Sequence, residues 1–532
     1  MSGHHVVLPV LLPFATGVLL ILLAERSLAV QRLVALAGTI ALVALGAWLV
    51  VIAGAGDAHA YRLGDWPAPF GIVLVLDRLS ALLLLLTGIV ALFSLLHAVQ
   101  GHDEAGPMYH PLFQLQLVGL NGAFLTGDLF NLFVFFEILL IASYCLLVHG
   151  STTPRLRAGV HYVVLNLVGS ALFLIAVGTL YGVTGTLNMA DMAQKVALLG
   201  AEDAGLVRAA ALLLLVVFAL KAALVPLYFW LPSAYSAASA PVAALFAIMT
   251  KVGVYSIVRV YTLIFGPDAG VGADVALPWL LPLALVTVML GMVGAVASRE
   301  LRRMQGYLLI GSVGVMLSGI ALFTATAISA GLYYLVHSTL VMAGMFLIAD
   351  LVARQRGGKD DLLVSGPPLP QSALLSGMFF IGAIGVAGLP PLSGFLGKAL
   401  ILEAALPGPL VGWIWAVVLV SGLLGLLALS RAGIIMFWVV DPDDAMLTHT
   451  RCSTRAVLPA AGLLATVVLI SVFAGPLAAF TQATAEQLLA PGPYIDAVLG
   501  GAGERVSAGA ESTAGLPAGA AATTTGTAGG AW

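Results

Sequence analysis

Leu129-Phe-Asn-Leu-Phe-Val-Phe-Phe-Glu137-Ile-Leu-Leu-Ile141 is an apolar run with a single carboxylate at its centre. In a soluble protein such a run would be one core helix, whereas here it is one of many. Of 532 residues, 61% are hydrophobic and 9% charged, against the roughly 25% charged of an ordinary soluble domain. Apolar stretches of about 20 residues, enough to cross a bilayer as a helix, recur along the whole chain. Every backbone N–H and C=O in hydrocarbon must be bonded within its own segment, so these spans are helices. The sequence therefore predicts one all-α membrane protein rather than several soluble domains. Spans start near Val6, Leu33, Leu79, Pro111, Leu129, Ala158, Val207, Ala237, Leu277, Tyr307, Ile328, Ala373, Val411 and Ala456, about fourteen in all.

The 22 basic residues orient the bundle, because cytoplasmic loops carry the excess of Lys and Arg. With the N-terminus outside, thirteen loop cations lie inside, among them Arg155, Arg157, Arg299, Arg302, Arg303, Arg354, Arg356 and Lys359, and six lie outside, Arg259 included. Both termini are thus predicted outside. The other three, Lys221, Lys251 and Lys398, fall within apolar runs. Val6 to Ala24 reads as a retained first span, since no Lys or Arg precedes it and no AxA cleavage pattern follows. Tyr61 to Leu76, with Pro67 and Pro69, suits a short outside hairpin. The stretch from Gly500 to Trp532, rich in Gly, Ala, Ser and Thr, is expected to be disordered. A net charge of −3 offers no basic excess for nucleic acid. Two cysteines, Cys145 and Cys452, provide neither a disulfide framework nor a CxxC metal site.

The residues that are expensive in lipid are the candidates for function. Glu137 alone among the acids lies in the middle of a span, where a charge costs about 2.5 to 3.5 kcal/mol unless it is paired, hydrated or protonated. The plainer alternative is a protonated acid hydrogen-bonding two helices together. Lys221 and Lys251 lie too deep to snorkel; burial lowers a lysine's proton affinity and a nearby carboxylate restores it, so either could take up and release a proton. A static ion pair is the competing role. Pro226 and Pro232 follow Lys221, and Pro390 and Pro391 precede Lys398. Proline removes a donor and clashes with the preceding turn, so both spans should be broken at mid-depth, or at least kinked. His337 can carry charge near neutral pH and is the natural relay between the Lys251 and Lys398 regions, although a lone helical histidine often only makes a hydrogen bond. His161 is a weaker candidate for proton uptake at the inner end of its span, and His149 is expected at the surface. No P-loop, GxGxxG after a strand, HExxH or CxxC occurs, so no cofactor or metal is expected and the energy source is an ion gradient or a partner.

Several motifs carry a family resemblance. Phe124-Leu-Thr-Gly-Asp-Leu-Phe-Asn-Leu-Phe-Val-Phe-Phe-Glu137, Leu231-Pro-Ser-Ala-Tyr235, Ala244-Leu-Phe-Ala-Ile-Met-Thr-Lys-Val-Gly-Val-Tyr255 and Gly388-Leu-Pro-Pro-Leu-Ser-Gly-Phe-Leu-Gly-Lys398 resemble the D-type subunits of Mrp/Pha multisubunit cation/proton antiporters. The likeness runs from Val6 to about Ala479 and extends more widely to the proton-pumping membrane subunits of complex I and membrane-bound hydrogenases. It implies a bacterial inner-membrane protein of fourteen helices with two inverted five-helix repeats, broken in helices 7 and 12. Domains would be 1–107 with the hairpin, repeats at 108–270 and 271–440, a loop and last helix at 441–499, and the tail at 500–532. It implies that Glu137 pairs with Lys221 and that Lys251, His337 and Lys398 continue a polar axis for protons. Sibling subunits of the A, B, C, E, F and G types are the implied partners, with Na+ or K+ as the exchanged cation. Gly159-Val-His-Tyr-Val-Val matches Gly331-Leu-Tyr-Tyr-Leu-Val five spans later, as an inverted repeat requires, though six small or apolar positions can also match by chance.

The chain departs from the wider pattern at two places. Tyr235 stands where complex I relatives have histidine, which favours the antiporter branch, and Val341, Met342 and Ala343 leave no lysine after His337. The alternative reading is a proton-pumping subunit of a complex I-like or hydrogenase-type oxidoreductase, and a third is a scaffold whose buried charges only hold an assembly together. No carboxylate cage suited to sodium is visible in the spans, so the cation path is expected mostly in another subunit.

Overall fold

A computed structural model describes residues 3–67, 69–441 and 450–500; most of the tail expected to be disordered, from 501 on, lies outside them. Helices begin within a turn or two of every expected start, from Leu8–Leu22 through Val411–Phe437 to Thr454–Val472. Among the described residues ten are long and apolar enough to cross a membrane, and Leu8–Leu22 and Ser372–Ala387 are apolar but shorter. Tyr109–Leu125 and Leu301–Ile320 are helical at the two starts that remain. The protein is a helical membrane bundle.

The bundle is buried at its centre and apolar on its outside. Every residue in the apolar windows of Ala240–Leu263 and Ala325–Arg354 is buried, whereas only 28% are buried in those of Leu28–Ala53 and Val411–Phe437. The outer helices present side chains such as Leu33, Val51 and Leu419 outward, as lipid or a neighbouring protein requires. The 30-residue helix Ala325–Arg354 is the axis. Thr324 caps its start by accepting the Ala327 N–H at 3.3 Å. Packed around it are Arg78–Ala98, Ala240–Phe246, Leu301–Ile320, Ser393–Ala404, Thr454–Val472 and Ala474–Leu489.

Among the described residues one small sheet interrupts the all-α pattern. The strands β1 (His59–Arg62) and β2 (Val73–Leu76) pair antiparallel, His59 opposite Leu76 and Arg62 opposite Val73, at the place expected for the hairpin. Asp77 follows β2 directly and caps Arg78–Ala98 by accepting the Ser80 N–H at 2.9 Å.

Three expectations need correction. Arg259, counted as a loop cation, lies inside Met249–Leu263, where its guanidinium meets Asp77 at 2.6 Å with both side chains buried. A run of apolar residues ended by one arginine looks the same in sequence as a span that continues past it. His149 is buried rather than on the surface; its Nε2 contacts the Gly106 carbonyl at 3.0 Å and its ring packs edge-on against Tyr109. Pro232 breaks nothing. It lies in the first turn of Trp230–Ala237, where its missing N–H has no intrahelical partner to lose.

Candidate functional site

Glu137 sits in Leu129–Val148, whose start is fixed by Asp128 accepting the Asn131 N–H at 2.8 Å. The carboxylate is half-buried and accepts a hydrogen bond from the Ser170 hydroxyl. Lys221 lies in the last turn of Ala204–Ala222, where the negative end of the helix dipole favours a cation. Its ammonium donates to Asn166 Oδ1 at 3.2 Å and stands 5.6 Å from the centre of the Phe136 ring. Asn166 and Ser170 lie one turn apart on Thr153–Thr184, joined by a 3.1 Å contact from the Ser170 hydroxyl to the Asn166 carbonyl. The acid and the lysine therefore make no direct ion pair in this structure. A third helix, with its hydroxyl and its amide, stands between them.

The first broken span ends where Ala223 takes a left-handed conformation, φ +59°. Pro226 lies in the gap before Trp230–Ala237. The groups freed there are caught by side chains: Trp230 Nε1 donates to the Leu220 carbonyl at 3.1 Å and Thr287 Oγ1 accepts from Val225 N at 3.0 Å. Beside this break Gly253 lets Met249–Leu263 approach until an added Cβ would fall 2.5 Å from the Ala222 nitrogen. Lys251, two residues earlier on the same helix, is fully buried. Its ammonium donates to the Thr250 hydroxyl at 3.4 Å. Tyr235, also fully buried, donates to the Phe246 carbonyl at 2.7 Å.

The second break gathers the remaining candidates. Ser372–Ala387 ends in Gly388 at φ +79°, Pro390 and Pro391 cross the gap, and Ser393–Ala404 resumes with Lys398 one turn in. Lys398 reaches back to donate to the Ala387 carbonyl at 2.8 Å, so close over Gly388 that any side chain there would strike it. His337 faces the same break from the axial helix. Its Nε2 lies 3.0 Å from the Gly385 carbonyl and its Nδ1 2.7 Å from Ser393 Oγ. A carbonyl can only accept, so Nε2 carries a proton here and Nδ1 is left to the hydroxyl. Lysine ion pairs among the described residues are Lys195–Asp191 and Lys359–Asp441. Lys221, Lys251 and Lys398 are thus held by neutral groups, in surroundings where an uncompensated charge is costly.

A cleft stands apart from this line, and a smaller cavity adjoins it at Lys398. The cleft, of about 1010 Å³ at the end of the bundle bearing Arg155 and Arg302, is bordered by Arg157, His161, Ser233 and Ser236; His161 is exposed there and stacks on Phe229. The smaller cavity, about 300 Å³, adjoins Lys398, Gly388 and Ala387. Asn166 and Ser170 are absent from the sequence-based candidates, because uncharged polar residues in a helix are common.

Comparison with known proteins follows the same line. The family described as NADH:quinone oxidoreductase/Mrp antiporter, transmembrane, matches residues 126–426, which contain all five ionisable candidates. The D-type subunit of a probable K(+)/H(+) antiporter from Rhizobium meliloti is 41% identical over 93% of this chain and 97% of its own. The D-type subunit of the Na(+)/H(+) antiporter from Alkalihalophilus pseudofirmus is 40% identical over 93% of this chain and 99% of its own. Among solved structures, the Mrp complex from Dietzia sp. superposes with a TM-score of 0.83 at 29% identity, covering 94% of this chain and 100% of the matched one. With a family match over more than half its length and relatives that align nearly end to end, the chain belongs to the NADH:quinone oxidoreductase/Mrp antiporter transmembrane family.

Proposed function

We propose that this chain is the proton-translocating D-type component of a multisubunit Na+/H+ or K+/H+ antiporter in the bacterial plasma membrane. The observation that carries the reading is the row of four ionisable side chains, Lys221, Lys251, His337 and Lys398, each at most 7% exposed and each held by neutral groups. A static scaffold would pair such charges; a proton relay needs them poised near the balance between charged and neutral forms. Relatives of about 40% identity that are named as D-type antiporter subunits, and that align over nearly the whole chain, favour the antiporter over the oxidoreductase reading.

In this reading protons enter from the cleft beside His161 and reach Glu137 and Lys221 through Ser170 and Asn166. They continue to Lys251, and pass by His337 to Lys398. Loss of a proton from one lysine removes a charge that repels the next, so each transfer favours the following one. The chain is part of a secondary transporter, driven by gradients rather than by a reaction of its own. It would have fourteen spans with both termini outside, and inverted five-helix repeats at 108–270 and 271–440, each holding one of the breaks. Siblings of the A, B, C, E, F and G types would cover the outer apolar faces, and the cation would cross mostly in one of them.

The test is pH-gradient dissipation in everted vesicles, normalised to assembled complex, for Glu137→Gln, Lys221→Met and the double variant. Each single should abolish exchange, and the double should assemble without exchanging. Wild-type exchange by the double variant would refute the relay.

A further inference from the structure

Away from the buried row, two helix ends and a turn bring three ligand-type side chains together. His97 lies in the last turn of Arg78–Ala98, Asp350 one turn from the end of Ala325–Arg354, and His102 in the turn His102–Ala105. His97 Nε2 and His102 Nε2 approach the same carboxylate oxygen, Asp350 Oδ2, at 2.9 and 3.1 Å. The three ligand atoms lie within 4.8 Å of one another. The imidazoles are nearly parallel, 29° between planes. Two helix C-termini converge here, and both direct their negative dipole ends at the cluster.

A cation already occupies part of this ground. Arg354 Nε donates to Asp350 Oδ2 at 2.7 Å, and Arg354 NH2 stands 2.7 Å from His102 Nε2. Hydrogen bonding cannot satisfy this arrangement. If His102 Nε2 donates to Asp350 it opposes the arginine N–H donor, and if it accepts from Arg354 it turns a lone pair toward the carboxylate. His97 Nδ1 is buried without a partner, while its Nε2 donates to the Asp350 carboxylate; a bound ion would take the place of that proton, leaving the ring's N–H on Nδ1. Arg354 is one-third exposed and can swing to solvent.

We propose that His97, His102 and Asp350 bind a divalent transition-metal ion of the zinc class, which replaces the Arg354 guanidinium and clamps the axial helix to Arg78–Ala98. Two imidazole nitrogens and one carboxylate oxygen suit zinc-like ions and are too few oxygens for calcium. Bonds of about 2.0 to 2.1 Å in a tetrahedral shell place ligands roughly 3.3 Å apart, a small widening from the 2.9 and 3.1 Å at which the two imidazoles approach Asp350. No spacing rule could reveal this set, because its members are separated by as many as 253 residues. Since the clamped helix also carries His337, the ion should slow exchange; that part rests on the proton-relay reading, the binding does not.

Cobalt(II) titrated into the purified intact complex is the probe. The wild type should develop ligand-field bands of a tetrahedral nitrogen/oxygen site that zinc abolishes. His102→Gln should weaken cobalt binding at least tenfold, while Arg354→Gln, which removes the competing cation, should tighten it. Identical titrations for the wild type and His102→Gln, or weaker binding by Arg354→Gln, would overturn the site. In everted vesicles, each variant measured against itself without zinc, the wild type should be slowed and His102→Gln should not. Histidine-dependent cobalt binding without slowing would keep the site and remove its regulatory role.

Discussion

Removing the Ser170 hydroxyl and the Asn166 amide should impair exchange without removing any charge. In the structure Ser170 donates to Glu137 and Asn166 accepts from Lys221, so Ser170→Ala and Asn166→Leu each delete one hydrogen bond to an ionisable group. Such bonds contribute about 1.5 to 3 kcal/mol. If that stabilisation belongs to the charged intermediate of proton transfer, its loss slows exchange by roughly 10- to 150-fold, at about 1.4 kcal/mol per factor of ten. The two should be less than additive, since either deletion interrupts the same bridge. Both side chains are small and buried among helices, and Ser170→Ala leaves no void, so assembly should survive in that variant at least. The assay is pH-gradient dissipation per assembled complex. Wild-type rates in Ser170→Ala and in Asn166→Leu, with the complex intact, would refute the bridge and leave Glu137 and Lys221 without a connection in this conformation.

Other consequences can be checked separately. Lys398→Ala should leave an assembled complex with impaired exchange, and Lys398→Arg should also fail to exchange because guanidinium scarcely deprotonates; normal exchange by the arginine variant would make the site a fixed charge. Cysteines at Arg299 and Gly358, both exposed, should react only with reagents that reach the cytoplasm, and labelling from the periplasm would reverse the orientation. Burial would raise the Asp103 carboxyl, but the Arg32 fork at 2.7 and 2.8 Å and His110 at 3.0 Å hold it lowered to about 2. A depressed carboxylate stabilises above its unfolded value of about 3.9 and loses that contribution as pH falls toward about 2. Asp103→Asn should therefore lower the melting temperature of the complex at about pH 7, and the gap from wild type should close on acidification; a gap that persists at the lowest pH would exclude the ionic contribution.

The helices and the buried cations are legible in the sequence because an apolar run of bilayer length and a charge inside it are both improbable by accident. Lys221, Lys251 and Lys398 stand out on those grounds, as does Glu137. What mediates between them does not. Asn166 and Ser170 carry no charge, so nothing in the sequence distinguishes them from polar residues that bond to their own helix, as each also does. The implied contact between Glu137 and Lys221 becomes an indirect one because helix order says nothing about which helix lies between two others. Arg259 reads as a loop cation because its partner Asp77 lies far away in sequence at the foot of the hairpin. The two prolines of the first break look equivalent, yet only Pro226 falls in the gap, since a proline's effect depends on its position relative to a helix start.

The two broken helices differ in which half holds the lysine. Lys221 belongs to the segment before its gap, and Lys398 to the segment after it, tethered backward to Ala387. A hinge motion at the first gap would carry the amine along with the incoming arm, whereas the same motion at the second would stretch or release the tether itself. The lysines are then unlike parts, one a passenger and the other a latch, and a substitution that stiffens both hinges should act on them at different stages of the cycle.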